Sequence, residues 1–106
     1  MSARIDHQMI EDRYDRVSPA IVRLPMPTLL RAGPYRLFIF MFDCAEPPHV
    51  HVDGNDGLAK FWLRPVSLAD SLGYSPREIS RIRAIIARER MTLIRRFDET
   101  CQRARR

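Results

Sequence analysis

Two cysteines, one lysine and one tryptophan are all that this chain of 106 residues holds of those types. Cys44 and Cys101 stand far apart and in no metal-ligand spacing. That excludes a cysteine zinc site and argues against a disulfide scaffold, so reduced thiols in a cytoplasmic protein are expected. Residues 1–10 lack the apolar run of a signal peptide, and no window has enough apolar residues to span a bilayer. A phosphate-binding loop, a dinucleotide-binding glycine fingerprint and a nucleophile elbow are all missing. So are internal repeats and low-complexity tracts.

What is present suffices for one modest core, since 45% of the residues are hydrophobic. The formal charge of +5 is unevenly placed. Residues 1–75 carry eight basic and nine acidic groups, whereas residues 76–106 carry ten arginines against four acids. Basic character therefore belongs to the C-terminal segment. It suits a polyanion, an acidic partner protein, or simply a solvated helix face.

Residues 1–25 mix charges with few large apolar side chains and read as a flexible extension, in which residues 9–17 can form a short helix. Pro19, Pro25 and Pro27 then force extended backbone. Residues 26–106 read as one domain. After the Gly33-Pro34 turn, residues 35–42 are aromatic and β-branched, and predict a central strand covered on both faces. Residues 43–48 read as a loop. His49–Asp53 and Leu58–Leu63 alternate around Gly54-Asn55-Asp56-Gly57, whose glycines and asparagine tolerate the positive φ of a tight hairpin. If Asp53 faces Leu58, His51 faces Lys60 and His49 faces Trp62. One face then carries His49, His51, Asp53, Lys60 and Trp62; the other carries Val50, Val52, Ala59, Phe61 and Leu63 as core. Residues 66–72 lean towards a strand. Ser75-Pro76-Arg77-Glu78 is a helix start with capping-box chemistry. Ile79, Ile82, Ile86, Leu93 and Phe97 form the apolar stripe that follows. The stripe is interrupted near residues 90–92, so one long helix or two are both compatible with it.

The hairpin face holds the candidate chemistry. His49 and His51, two residues apart on one strand face, can act as acid and base, with Lys60 neutralising charge on a phosphodiester. A lysine disfavours the charged form of a neighbouring histidine. This reading needs no cofactor and suits metal-independent RNA cleavage. Arg31, Arg36 and Trp62, together with Arg81, Arg88 and Arg95 of the last helix, are the candidate anion- or RNA-binding residues. His49, His51 and Asp53 alternatively offer a metal-ligand spacing, but a third or fourth ligand is not evident unless Glu46 folds back from its loop, and Lys60 opposes a second cation. The plainest alternative is the solvent face of an antiparallel sheet.

Several motifs in order resemble one family: Met26-Pro27-Thr28, Gly33-Pro34-Tyr35-Arg36-Leu37-Phe38, Glu46-Pro47-Pro48-His49-Val50-His51-Val52, Ala59-Lys60-Phe61-Trp62-Leu63, and Ser75-Pro76-Arg77-Glu78. The chain is similar over about residues 26–106 to the family called domain of unknown function 4160. The resemblance implies a small bacterial protein without an established activity. Its genes often sit beside one for domain of unknown function 2442, as candidate type II toxin–antitoxin modules with this family as the toxin. The expectation is thus an α+β domain, an antiparallel sheet of three to five strands packed against one long or bent C-terminal helix. Functionally it is a toxin-like component acting on RNA or translation and held by a small antitoxin-like protein. The alternatives are a non-catalytic module docking a protein or nucleic acid through the basic helix, and a small metal-binding protein. No membrane association is expected.

Overall fold

A computed structural model describes residues 26–104. The N-terminal extension and its expected short helix lie outside the described residues. Five strands follow one another as β1 (Thr28–Ala32), β2 (Tyr35–Phe38), β3 (His49–Gly54), β4 (Gly57–Leu63) and β5 (Val66–Leu72). They pair in sequence order, all antiparallel, as a meander. A 3-10 turn at Met41–Ala45 joins β2 to β3, and helices α1 (Pro76–Arg88) and α2 (Arg90–Ala104) complete the chain. No helix among the described residues is long and apolar enough to cross a membrane.

The hairpin is the best-specified element. Asn55 and Asp56 both have positive φ, 57° and 67°, the two-residue turn that matches strand twist. Gly54, at φ 117°, packs its bare Cα against the Pro34 carbonyl, where any Cβ would collide. The register is the one the turn predicts: Asp53 opposite Leu58, His51 opposite Lys60, His49 opposite Trp62. Val50, Val52, Phe61 and Leu63 are completely buried, as the alternation requires. Ile79, Ile82 and Ile86 of α1 and Leu93, Ile94 and Phe97 of α2 cover that face. Burying such side chains is the main favourable term of the fold.

Several expectations need correction. The strand over residues 35–42 ends at Phe38, and β3, not β2, is central. Ile39 and Phe40 are buried but lead into the 3-10 turn, so an apolar run had implied a longer strand. The segment read as a loop holds that turn. Residues 76–104 form two helices, divided at Glu89, whose N–H donates to the Ile85 carbonyl as α1 closes. Ser75 accepts the Glu78 amide at 3.1 Å as predicted. Glu78, however, does not complete a capping box; its carboxylate accepts from the Tyr35 hydroxyl at 2.7 Å and from Asn55.

The largest correction concerns the thiols. Cys44 and Cys101 are joined by a disulfide, their Cα atoms 5.5 Å apart despite a sequence separation of 57. The bond ties the 3-10 turn to the last turns of α2. Spacing alone had hidden the pair, because only the packing of α2 across the sheet brings Cys101 to Cys44.

Candidate functional site

Among the described residues the helices pack on the core face of the sheet, and Phe97 of α2 reaches His49 at one end of the other face. Directly opposed residues share a face, so the register places one row across four strands: Phe38, His51, Lys60 and Asp70. These four line an open hollow of about 370 Å³, with Phe40, Leu58 and Leu72 among its other walls. That volume suits a small ligand or a single nucleotide.

At one end of the hollow the chain folds back over β3. The 3-10 turn brings Asp43 onto the histidines. Asp43 Oδ2 lies 2.9 Å from His51 Nε2 and accepts the Phe40 amide at 2.8 Å. Its Oδ1 lies 3.2 Å from His49 Nε2. Burial raises the energy of the Asp43 charge, but the two imidazoles and the Phe40 amide outweigh it and hold the carboxyl well below the usual carboxylate range. Because a carboxylate only accepts, His51 donates from Nε2, which leaves Nδ1 as its basic nitrogen in the neutral ring.

His49 is different in kind. It is fully buried, packed at ring distances of 5.4 Å from Trp62 and 5.7 Å from Phe97. Its Nδ1 lies 2.9 Å from the Pro47 carbonyl, which can only accept, so Nδ1 carries a hydrogen. Its Nε2 is buried and has no hydrogen-bond partner. Glu46 does fold back: Oε1 stands 3.7 Å from His49 Nε2 and 3.0 Å from Lys60 Nζ. Lys60 also lies 4.5 Å from the centre of the Trp62 ring, a cation–π contact.

The sequence-predicted residues are thus divided. His49, His51, Lys60 and Trp62 come together, although His49 presents no surface to a substrate. Arg36 is engaged: it donates to Thr28 Oγ1 at 2.8 Å and to the Met26 carbonyl at 2.7 Å, and it pairs with Asp53 at 3.7 Å. Arg31 lies opposite Arg36 on β1 and is exposed. Arg81, Arg88 and Arg95 are exposed on the helical layer, away from the hollow. Asp53, suggested as a third metal ligand, is held by Arg36; the acid that meets both histidines is Asp43. Asp43, His49 and His51 each bring one ligand atom, all within 4.8 Å of one another. Sequence reasoning missed Asp43, and also Phe38, Phe40 and Asp70. The available signal was an acid inside the apolar run Phe40-Met41-Phe42-Asp43-Cys44, where a lone charge has to find partners.

The model of one protein family, Domain of unknown function (DUF4160), matches residues 35–98. No curated protein and no solved structure matches the chain.

Proposed function

Since the chain belongs to the DUF4160 family, we propose that it is the toxin-like member of a two-protein module, acting on an RNA phosphodiester at the sheet face that carries His51 and Lys60. The observation that carries this reading is the hollow lined by His51 and Lys60, with His51 oriented by buried Asp43. An oriented imidazole beside a cation is what proton transfer at a phosphate needs. The rings of Phe38 and Phe40 offer base-stacking surface in the same hollow. Within this reading His51 exchanges the proton, Lys60 stabilises charge, and His49 positions Asp43 from beneath. Arg31 is the exposed cation on the far strand that extends the path for a phosphate backbone. An RNA target puts the protein in the cytoplasm on this reading, whereas a disulfide such as Cys44–Cys101 is more common in oxidising compartments.

Induced expression in a bacterial host tests this. Growth arrest is expected, with loss of arrest in His51→Ala and Lys60→Ala. Unimpaired growth at high expression of the unaltered protein would refute the toxin role.

A second reading rests on the exposed Arg81, Arg88 and Arg95: a module that docks an acidic partner, the cognate antitoxin-like protein included, through its helical layer. Reversal of these charges then abolishes co-purification with the neighbouring gene's product, while the histidine variants still bind. Binding undiminished by the reversals excludes that surface.

A further inference from the structure

We propose that Asp43, His49 and His51 bind one divalent transition-metal cation, zinc being the fitting case. Two imidazole nitrogens and a carboxylate oxygen are a donor set that zinc and its neighbours accept. Bonds of about 2.0–2.2 Å to a tetrahedral ion put ligand atoms roughly 3.4 Å apart. Asp43 Oδ1 lies 3.2 Å from His49 Nε2 and Oδ2 lies 2.9 Å from His51 Nε2, and one ligand atom from each of the three residues fits within 4.8 Å of the others.

The tautomer of His49 is the decisive observation. Its Nδ1 must donate to the Pro47 carbonyl, so in the neutral ring Nε2 is a bare lone pair. That nitrogen is buried, lacks a hydrogen-bond partner and lies 3.2 Å from Asp43 Oδ1. Two electron-rich atoms at 3.2 Å in a buried site repel unless something positive lies between them. A proton on Nε2 or a metal ion supplies that charge, and the hydrogen bond that such a proton would make to Asp43 is missing. The surroundings are those of ligands held from outside: the Pro47 carbonyl orients His49, and the Phe40 amide orients Asp43.

Lys60 does not oppose the cation as its position in the sequence suggested. Its ammonium is matched by Glu46, whose Oε1 stands on the His49 side. With neutral imidazoles, Asp43, Glu46 and Lys60 leave one net negative charge at the site. Glu46 is also within reach as a fourth ligand.

The inference alters the phosphodiester reading in one respect, and only that catalytic consequence rests on it: with metal bound, His51 would be held as a ligand, and the ion would supply an activated water in its place. Binding itself is measured independently of RNA. Full-length protein, stripped with chelator and desalted, is titrated with zinc chloride by calorimetry and assayed for metal content. One equivalent is expected to bind, weakened more than about 100-fold in His51→Gln, a larger loss than that of an outer-shell partner. Asp53→Asn is expected to bind as the unaltered protein does. His51 is partly exposed, so His51→Gln is expected to fold, which thermal unfolding without metal verifies. Zinc is also expected to shift the ¹⁵N resonance of His49 Nε2. No saturable binding, binding unchanged in His51→Gln, or a His49 that is doubly protonated and unmoved by zinc would each overturn the proposal. Metal bound without RNA cleavage would sink the phosphodiester reading and leave the site; chelator-insensitive cleavage without bound metal would do the reverse.

Discussion

Reducing the Cys44–Cys101 bond is expected to lower the stability of this domain by up to about 4 kcal/mol. The bond closes a loop with a sequence separation of 57. In the chain-entropy treatment such a cross-link removes about 14 cal/mol/K from the unfolded ensemble, or about 4 kcal/mol at 25 °C. That is a large share of the roughly 5–15 kcal/mol available to a small domain. Reduction is a cleaner perturbation than mutation, because both sulfur atoms stay in place and no cavity opens around buried Cys101. The assay is urea unfolding of oxidised and dithiothreitol-treated protein, followed by helix circular dichroism. With a slope of about 1–3 kcal/mol/M, the midpoint should fall by roughly 1–4 M. Hydrogen exchange should show where the loss is felt first. The last turns of α2 and the 3-10 turn at Met41–Ala45 share the bond and should lose protection before the hairpin. Equal midpoints with and without reductant, or two titratable thiols in air-oxidised native protein, would refute the reasoning.

Three further outcomes are expected. Burial raises the pKa of Tyr74, whose hydroxyl donates to the Gly54 carbonyl at 2.7 Å, and burial with Glu78 beside it does the same for Tyr35. A raised folded pKa contributes stability that is complete below the unfolded value of about 10 and is lost as the pH climbs above it. Unfolding followed against pH should therefore show a decline beginning near pH 10, smaller in Tyr74→Phe. Asp43 has the opposite sign: its depressed pKa contributes stability above about pH 4 that drains away on acidification. Asp43→Asn should flatten the acid limb of the stability profile measured by chemical unfolding. Gly57→Ala would set a methyl group into the Tyr74 ring. It should cost about 1–3 kcal/mol by thermal or urea unfolding, whereas Met91→Ala at an exposed site should change little.

The hairpin and the α1 start were legible because their causes are local. Two positive-φ residues fix the Asn55-Asp56 turn, and the turn fixes the register that sets His51 beside Lys60. Ser75 caps α1 with an oxygen three residues from the amide that it accepts. The Arg36–Asp53 pair was within reach of the same reasoning but needed the β2–β3 register, which a ten-residue connection conceals. For the same reason the sequence reading set Asp53, not Asp43, beside the histidines: the two histidines follow from strand period, whereas the acid that meets them follows from how the connection folds.

Sequence alone determined which face of β3 and β4 is core, where the chain turns, and which residues gather on the polar face. Those follow from the two-residue period of a strand and from backbone sterics, each acting within a few residues. Tertiary structure decided that Asp43 reaches across to His49 and His51, and that Cys101 meets Cys44. It also decided that His49 is sealed away while His51 and Lys60 line the hollow. Each of these depends on the 3-10 turn and α2 closing over one end of the sheet. That closure is driven by the burial of Leu93, Ile94 and Phe97; helical spacing marks such a stripe as apolar, but burial is non-directional and does not say which part of the sheet it covers.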